Sequence, residues 1–164
     1  MQSFLEDFRQ TLERAAERLL QLPAAENQTP RAQDKWSPRE IIGHLIDSAA
    51  NNHQRFVRAQ FTDDLVFPGY QQAEWVSIQH YRQENWEQLV QLWKLYNLHL
   101  LHVMQNTPPE QLTVPRLKHN LNEIAWQPVA VDQPATLEYF MRDYVDHLKH
   151  HLRQILGAEW SPIT

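Results

Sequence analysis

Four stretches of the chain place apolar residues three and four positions apart, the spacing of a helix with one buried stripe. Between residues 2 and 22, Phe4, Leu5, Phe8, Leu12, Ala15, Ala16, Leu19 and Leu20 form such a stripe, and Pro23 closes it. The second stretch opens with "SPRE": Ser37 caps, Pro38 suits the first helical position and Glu40 completes a reciprocal capping box. It should run to Gln60, before the turn-rich "FTDDLVFPGY". A third helix is expected from Arg82 to Asn106, with Trp86, Leu89, Val90, Trp93, Leu100, Val103 and Met104 on its stripe and Pro108-Pro109 stopping it. The fourth begins between Asp132 and Leu137, since Asp132 and Thr136 are both acceptable caps, and Gly157 suits its C-terminal end.

Four amphipathic helices of this length predict an all-α fold, a four-helix bundle, as a single domain over residues 1–164. The connections 62–81 and 107–133 are longer than antiparallel neighbours need, so at least one should cross the bundle or form a lid.

Composition narrows the chemistry. The chain has no cysteine, which excludes disulfides, thiolate ligands and a cysteine nucleophile, and restricts any metal site to nitrogen and oxygen donors. A net charge of −5 with scattered basic residues offers no footprint for nucleic acid. The charged N-terminal stretch lacks the apolar run of a signal peptide or membrane span, so no membrane partner and a cytoplasmic location are expected.

The chemistry concentrates in "DYVDHLKHHLRQILG". At 100° per residue, His151 lies about 40° from His147 on the side of the apolar stripe, and His150 about 60° away on the other side, toward water. His147 and His151, four residues apart, can reach a common ion. On the second helix, Asp47, Ser48, Asn51 and Arg55 lie within about 60° of His44, a polar strip beside a helix otherwise backed by Ile41, Leu45, Ala49 and Phe56. If the two strips meet, His44, His147 and His151 form a three-imidazole cluster with an open coordination position, as in catalytic metal sites. The alternative is that these histidines are polar surface or partly buried core residues. No HExxH motif is present.

Taken together, "WSPREIIGHLIDSAANNHQRF", "FPGYQQAEWV", "YRQENWEQLVQLWKLYNLHLL" and "DYVDHLKHHLRQIL" resemble the DinB-like superfamily, in particular its YfiT-like branch. The resemblance spans nearly the whole chain, and its core is a W-S-x-x-E-x-x-x-H-L opening paired with a late H-x-x-x-H helix. It implies a four-helix bundle with a long crossover, often a homodimer, that binds zinc or nickel through three histidines, matching His44, His147 and His151. The activity it implies is transfer to a low-molecular-weight thiol such as bacillithiol or mycothiol acting on a small electrophile. A metal-dependent hydrolase of a small amide or ester is the alternative, and a non-catalytic bundle that binds a metal or small molecule is a third reading. For a dimer, the tryptophan-rich helices could supply an apolar patch.

Other residues carry two readings each. Asp47 and Asp143 can orient a ligand imidazole or sit as helix-surface carboxylates. Arg55 and Asn51 can hold a carboxylate-bearing substrate, or form an ion pair or a solvated face. Tyr70, with Trp75, can fold over the site or plug the bundle end, and plugging is the simpler role. His53 should be exposed, and His80, His99, His102 and His119 structural or superficial.

Overall fold

In a computed structural model, residues 1–161 are described; the last three residues of the expected 1–164 domain lie outside the described residues. Four long helices carry the fold: α1 (Gln2–Leu20), α3 (Pro38–Arg58), α5 (Trp86–Gln105) and α8 (Leu137–Leu156). Short helices lie between them: α2 (Ala24–Gln28), α4 (Gln72–Ile78), α6 (Pro109–Thr113) and α7 (Leu121–Ile124), with one 3-10 turn at Tyr81–Gln83. Both α1 and α3 pack against α5 and α8, so α1 and α3 occupy opposite corners of the bundle. No described helix is long and apolar enough to cross a membrane.

The helix starts follow local chemistry. At α3, the Ser37 side chain accepts from the Glu40 backbone N–H while the Glu40 carboxylate accepts from the Ser37 N–H at 2.8 Å, the expected capping box. Thr136, not Asp132, caps α8 by accepting the Tyr139 N–H at 3.1 Å. The third long helix starts later than expected. Residues 81–83 turn as a 3-10 segment, Glu84 is extended, and Asn85 caps α5 by accepting from Gln88.

The apolar stripes meet in one core that includes Phe8, Leu12, Leu45, Phe56, Trp93, Leu100, Phe140 and Leu148. Trp86 and Trp93 belong to it, and Trp86 donates its indole N–H to the Leu19 carbonyl at 2.9 Å. These tryptophans therefore supply no exposed patch for dimerisation, because the stripe that displays them is the face that must leave water.

The two long connections are ordered against each other. The Leu65 N–H donates to Lys118 O and the Asn120 N–H to Leu65 O, a single parallel bridge. Asn120 adds a pair of side-chain bonds: it accepts from the Phe67 N–H and donates to the Phe67 carbonyl. Arg116 and Ala135 form a second isolated bridge, antiparallel, where the last connection enters α8. Near the other end of α3, the Tyr81 ring lies so close that a Cβ on Gly43 would come within 2.1 Å of it. Glycine at this position lets the ring press close against α3 and reach Asp47.

Candidate metal centre

α3 brings His44 and α8 brings His147 and His151 to the same point. The His151 and His147 Nε2 atoms are 3.0 Å apart, those of His44 and His147 3.4 Å, and a donor from each of the three lies within 4.8 Å of the others. His44 is fully buried, and the other two are half-buried. The angular argument from the sequence is met by the way α8 crosses α3, which turns the edge of one stripe toward the edge of the other.

Electrostatics keeps these rings neutral. Burial pushes the His44 imidazole down to about 3, with the neighbouring His151 adding to the effect. Burial does the same to His147, also to about 3, aided by His151, His44 and His150. His151 is lowered mainly by burial, while its bond to Gln154 opposes the shift. Three uncharged imidazoles present lone pairs instead of protons at neutral pH.

The donor set fits a divalent cation. His151 Nδ1 donates to Gln154 Oε1 at 2.8 Å, an arrangement in which its Nε2 is the lone-pair nitrogen that faces His147. Tetrahedral bonds of about 2.0–2.1 Å separate neighbouring donors by about 3.3 Å, and octahedral ones by about 2.9 Å, so the 3.0 and 3.4 Å spacings need little adjustment. His44 Nδ1 is buried without a hydrogen-bond partner, and Trp36 packs on this ring at 5.1 Å. The polar contact available to His44 is thus the other imidazoles, and lone pairs turned on one another are best satisfied by a shared cation.

Beside the cluster opens a cavity of about 430 Å³, lined by His147, His150 and His151, by Ser48, Asn52 and Arg55 of α3, by Phe140, Asp143 and Tyr144 of α8, and by both long connections. Gly69, Tyr70 and Gln72 come from the first connection, and Glu123, Ile124, Ala125 and Trp126 from the second. A second cavity of about 440 Å³, lined by Trp36, Ile41 and Gln154 among others, shares His151 as a wall.

Several expected roles change. Asp143 orients no imidazole; its oxygens accept the Trp126 and Gln127 backbone N–H groups at 2.9 and 2.7 Å, which holds the second connection over the cavity. Asp47 also misses the imidazoles, because at about 60° around the helix from His44 it faces away from α8. Its Oδ1 instead accepts from Tyr81 OH at 2.7 Å and Gln79 at 2.8 Å, docking the segment after α4. Asn51 lies on that same side and donates to the Asp47 carbonyl one turn back, away from the cavity. Asn52, which sequence reasoning passed over, lines the cavity in its place.

Tyr70 is a wall of the cavity instead of a plug at the bundle end, while Trp75 packs on it at 5.0 Å. His150 is exposed, packs at a tilt against Trp126 with ring centres 5.3 Å apart and borders the cavity. His53 is half-buried, against Tyr96 and His99. His119 is structural: its Nε2 meets the Gln133 carbonyl at 2.7 Å and its Nδ1 accepts from the Leu121 N–H. Trp36 and Trp126 carried no periodic signal; only the tertiary fold brings them to the imidazoles.

Fold and site together define a helical bundle with a three-imidazole centre able to hold a divalent cation, open to a polar cavity. The chain belongs to the DinB superfamily, whose family model matches residues 7–155. Among solved structures it is similar to YfiT from Bacillus subtilis, described as a probable metal-dependent hydrolase with an unusual four-helix bundle topology. The TM-score is 0.76 at 16% identity, over 94% of this chain and 82% of that one, a likeness in fold. A comparison with curated proteins found no match.

Proposed function

We propose that the protein is a metal-dependent enzyme acting on a small molecule, with His44, His147 and His151 as the ligands of a zinc or nickel ion and a low-molecular-weight thiol as the nucleophile. The observation that carries the metal reading is the convergence of three neutral imidazoles, one buried and two half-buried, with Nε2 separations of 3.0 and 3.4 Å. Nitrogen ligands of this kind suit zinc and nickel. A divalent ion held there supplies Lewis acidity and a lowered pKa for a bound water or thiol.

Thiol transfer is favoured by what lines the cavity. Its acidic residues are Asp143, whose oxygens are engaged by two backbone N–H groups, and Glu123, exposed at the rim. Neither is placed as a general base, and a thiol, with an ordinary pKa near about 8.5, needs the least help to ionise. In the transfer the sulfur forms a bond to the electrophilic carbon, the leaving group departs with its electron pair, and the thiol proton passes to solvent. The two cavities on either side of His151 suit a reaction with two substrates. Tyr70, Trp126 and the connections that carry them shield this chemistry from water.

The second reading is hydrolysis of a small amide or ester, favoured by the description of the YfiT structure as a probable metal-dependent hydrolase. One experiment separates the readings. Tag-free protein is assayed for metal by elemental mass spectrometry, then for consumption of thiol with 1-chloro-2,4-dinitrobenzene and for hydrolysis of 4-nitrophenyl acetate, each with and without a chelator. Chelator-sensitive thiol consumption supports transfer, and chelator-sensitive ester cleavage without thiol supports hydrolysis. Stoichiometric metal with neither activity points to a non-catalytic metal-binding bundle. Absence of metal after incubation with zinc or nickel overturns the proposal.

A further inference from the structure

The cavity wall holds a cation with no partner of opposite charge. Arg55 is buried, with 5% of its surface exposed. Its Nη2 donates to the Pro68 carbonyl at 2.9 Å and its Nη1 to Asn52 Oδ1 at 3.4 Å, both neutral acceptors, and the guanidinium lies 6.0 Å from the centre of the Phe140 ring. None of the ion pairs among the described residues involves Arg55. The nearby acids are otherwise placed: Asp143 is held by Trp126 and Gln127, and the second oxygen of Asp47 is buried without any partner.

A buried guanidinium bonded to neutral groups alone keeps its full charge in a poor solvent, a costly arrangement unless something pairs with it. Arg55 is thus neither half of an ion pair among the described residues nor part of a solvated face. Five donors in a rigid fork are also the arrangement that recognises a carboxylate in two-point fashion. Arg55 lines the cavity with Ser48, Asn52 and Tyr70. Neutral hydroxyl and amide groups next to one fixed cation make a site selective for a single anionic group.

We infer that Arg55, supported by Asn52, Ser48 and Tyr70, is an anion subsite that receives a carboxylate of the small molecule handled at the imidazole centre. This rests on the reading of the cavity as the active site and deepens it. Arg55 follows His44 by eleven residues of α3, about 16 Å of helical rise between the two backbones, but its long side chain lines the same cavity as His147 and His151, so one small molecule can meet both. The carboxylate belongs either to the thiol or to the electrophile.

The test reads binding apart from chemistry. Metal-free protein is titrated calorimetrically with succinate and with succinamide, its uncharged counterpart, for wild type, Arg55→Met and Arg55→Lys, with folding of each checked by circular dichroism and thermal melting. Wild type should prefer succinate at least tenfold; the lysine variant should keep part of the preference and the methionine variant none. Should Arg55→Met fail to fold, Asn52→Asp, which puts a negative charge in the subsite, should weaken succinate at least tenfold. Equal or absent binding of the two probes to wild type overturns the proposal, as does a preference that survives in folded Arg55→Met or in Asn52→Asp.

Metal-loaded protein then identifies the source. N-acetylcysteine is compared with its amide, and 4-(bromomethyl)benzoate with 4-(bromomethyl)benzamide. An Arg55-dependent preference in the first pair assigns the carboxylate to the thiol, and one in the second assigns it to the electrophile. A preference in neither overturns the link to the reacting molecule. Metal content of wild type and Arg55→Met, expected to be equal, tells a failed subsite from a failed metal centre.

Discussion

Two histidines of α3 point in opposite directions, each into a group of its own. His44 meets His147 and His151, while His53, on the other side of the helix, meets His99 with ring centres 5.0 Å apart, and His99 stacks on His102 at 6.3 Å. The ring spacings of the first group, 4.6 to 5.3 Å, are not much shorter. What differs is aim and burial. In the first group the ring nitrogens turn toward one point and the rings are withdrawn from water; in the second, His99 and His102 are exposed. Among the described residues, the first group alone gathers three metal-capable donors within 4.8 Å. Histidine content and spacing along a helix therefore do not make a site. A helix crossing that aims the nitrogens inward, and burial that holds them neutral, do.

The contrast is broken most directly by metal content. His147→Ala should lower affinity for zinc or nickel by about 100-fold or more, since it removes one of the three proposed ligands, whereas His99→Ala should retain the wild-type stoichiometry in elemental mass spectrometry. Equal loss in both variants would erase the distinction.

The next effect is on acid stability of the metal-free protein. His44 and His147 protonate near 3 when folded, against about 6.5 as the ordinary value. Between these limits the unfolded chain binds more protons, so stability is retained above pH 6.5 and is lost as the pH falls toward 3, by up to about 1.4 kcal/mol per group per pH unit. Urea titrations across this window should show that slope, and His44→Gln should flatten it. A slope unchanged in His44→Gln would show that this burial does not control the titration.

Asp143→Ala sharpens the comparison, because the first group lies beneath a held connection. Removing a carboxylate that accepts two backbone N–H groups should cost about 2–4 kcal/mol and speed amide exchange at Trp126 and Gln127. Unchanged exchange there would mean that the connection is held by other contacts. The smallest effect belongs to the second group: His99→Ala should shift stability by less than about 0.5 kcal/mol. A larger loss would give that exposed face a structural role.

Much of this architecture was legible in the residues. The four stripes correctly announced four helices, and "SPRE" marked the start of α3 to the residue because a capping box is a contact within four positions. The spacing places the α5 start at Arg82, because the 3-10 turn at Tyr81–Gln83 carries helical spacing ahead of the point where Asn85 caps the true helix. The imidazole trio could be anticipated because helical angles place His44 and the His147–His151 pair at the edges of apolar stripes. The same angles do not tell which side of His44 faces α8, and it is Asn52, not Asn51 or Asp47, that lies on the cavity side.

By itself, then, the sequence determined what depends on near neighbours along the chain: helix periodicity, caps, the absence of cysteine ligands and nucleophiles, and the stripe edges on which histidines sit. Tertiary structure alone decided what depends on residues far apart. It turned α8 against α3 so that the Nε2 atoms converge, drew the two long connections across the cavity through Asn120 and Asp143, and left Arg55 buried without a counter-charge. The reason is physical. A helix sets the direction of its own side chains within one turn, but burial, electrostatic pairing and the meeting of lone pairs are properties of the space between elements, which no single segment encodes.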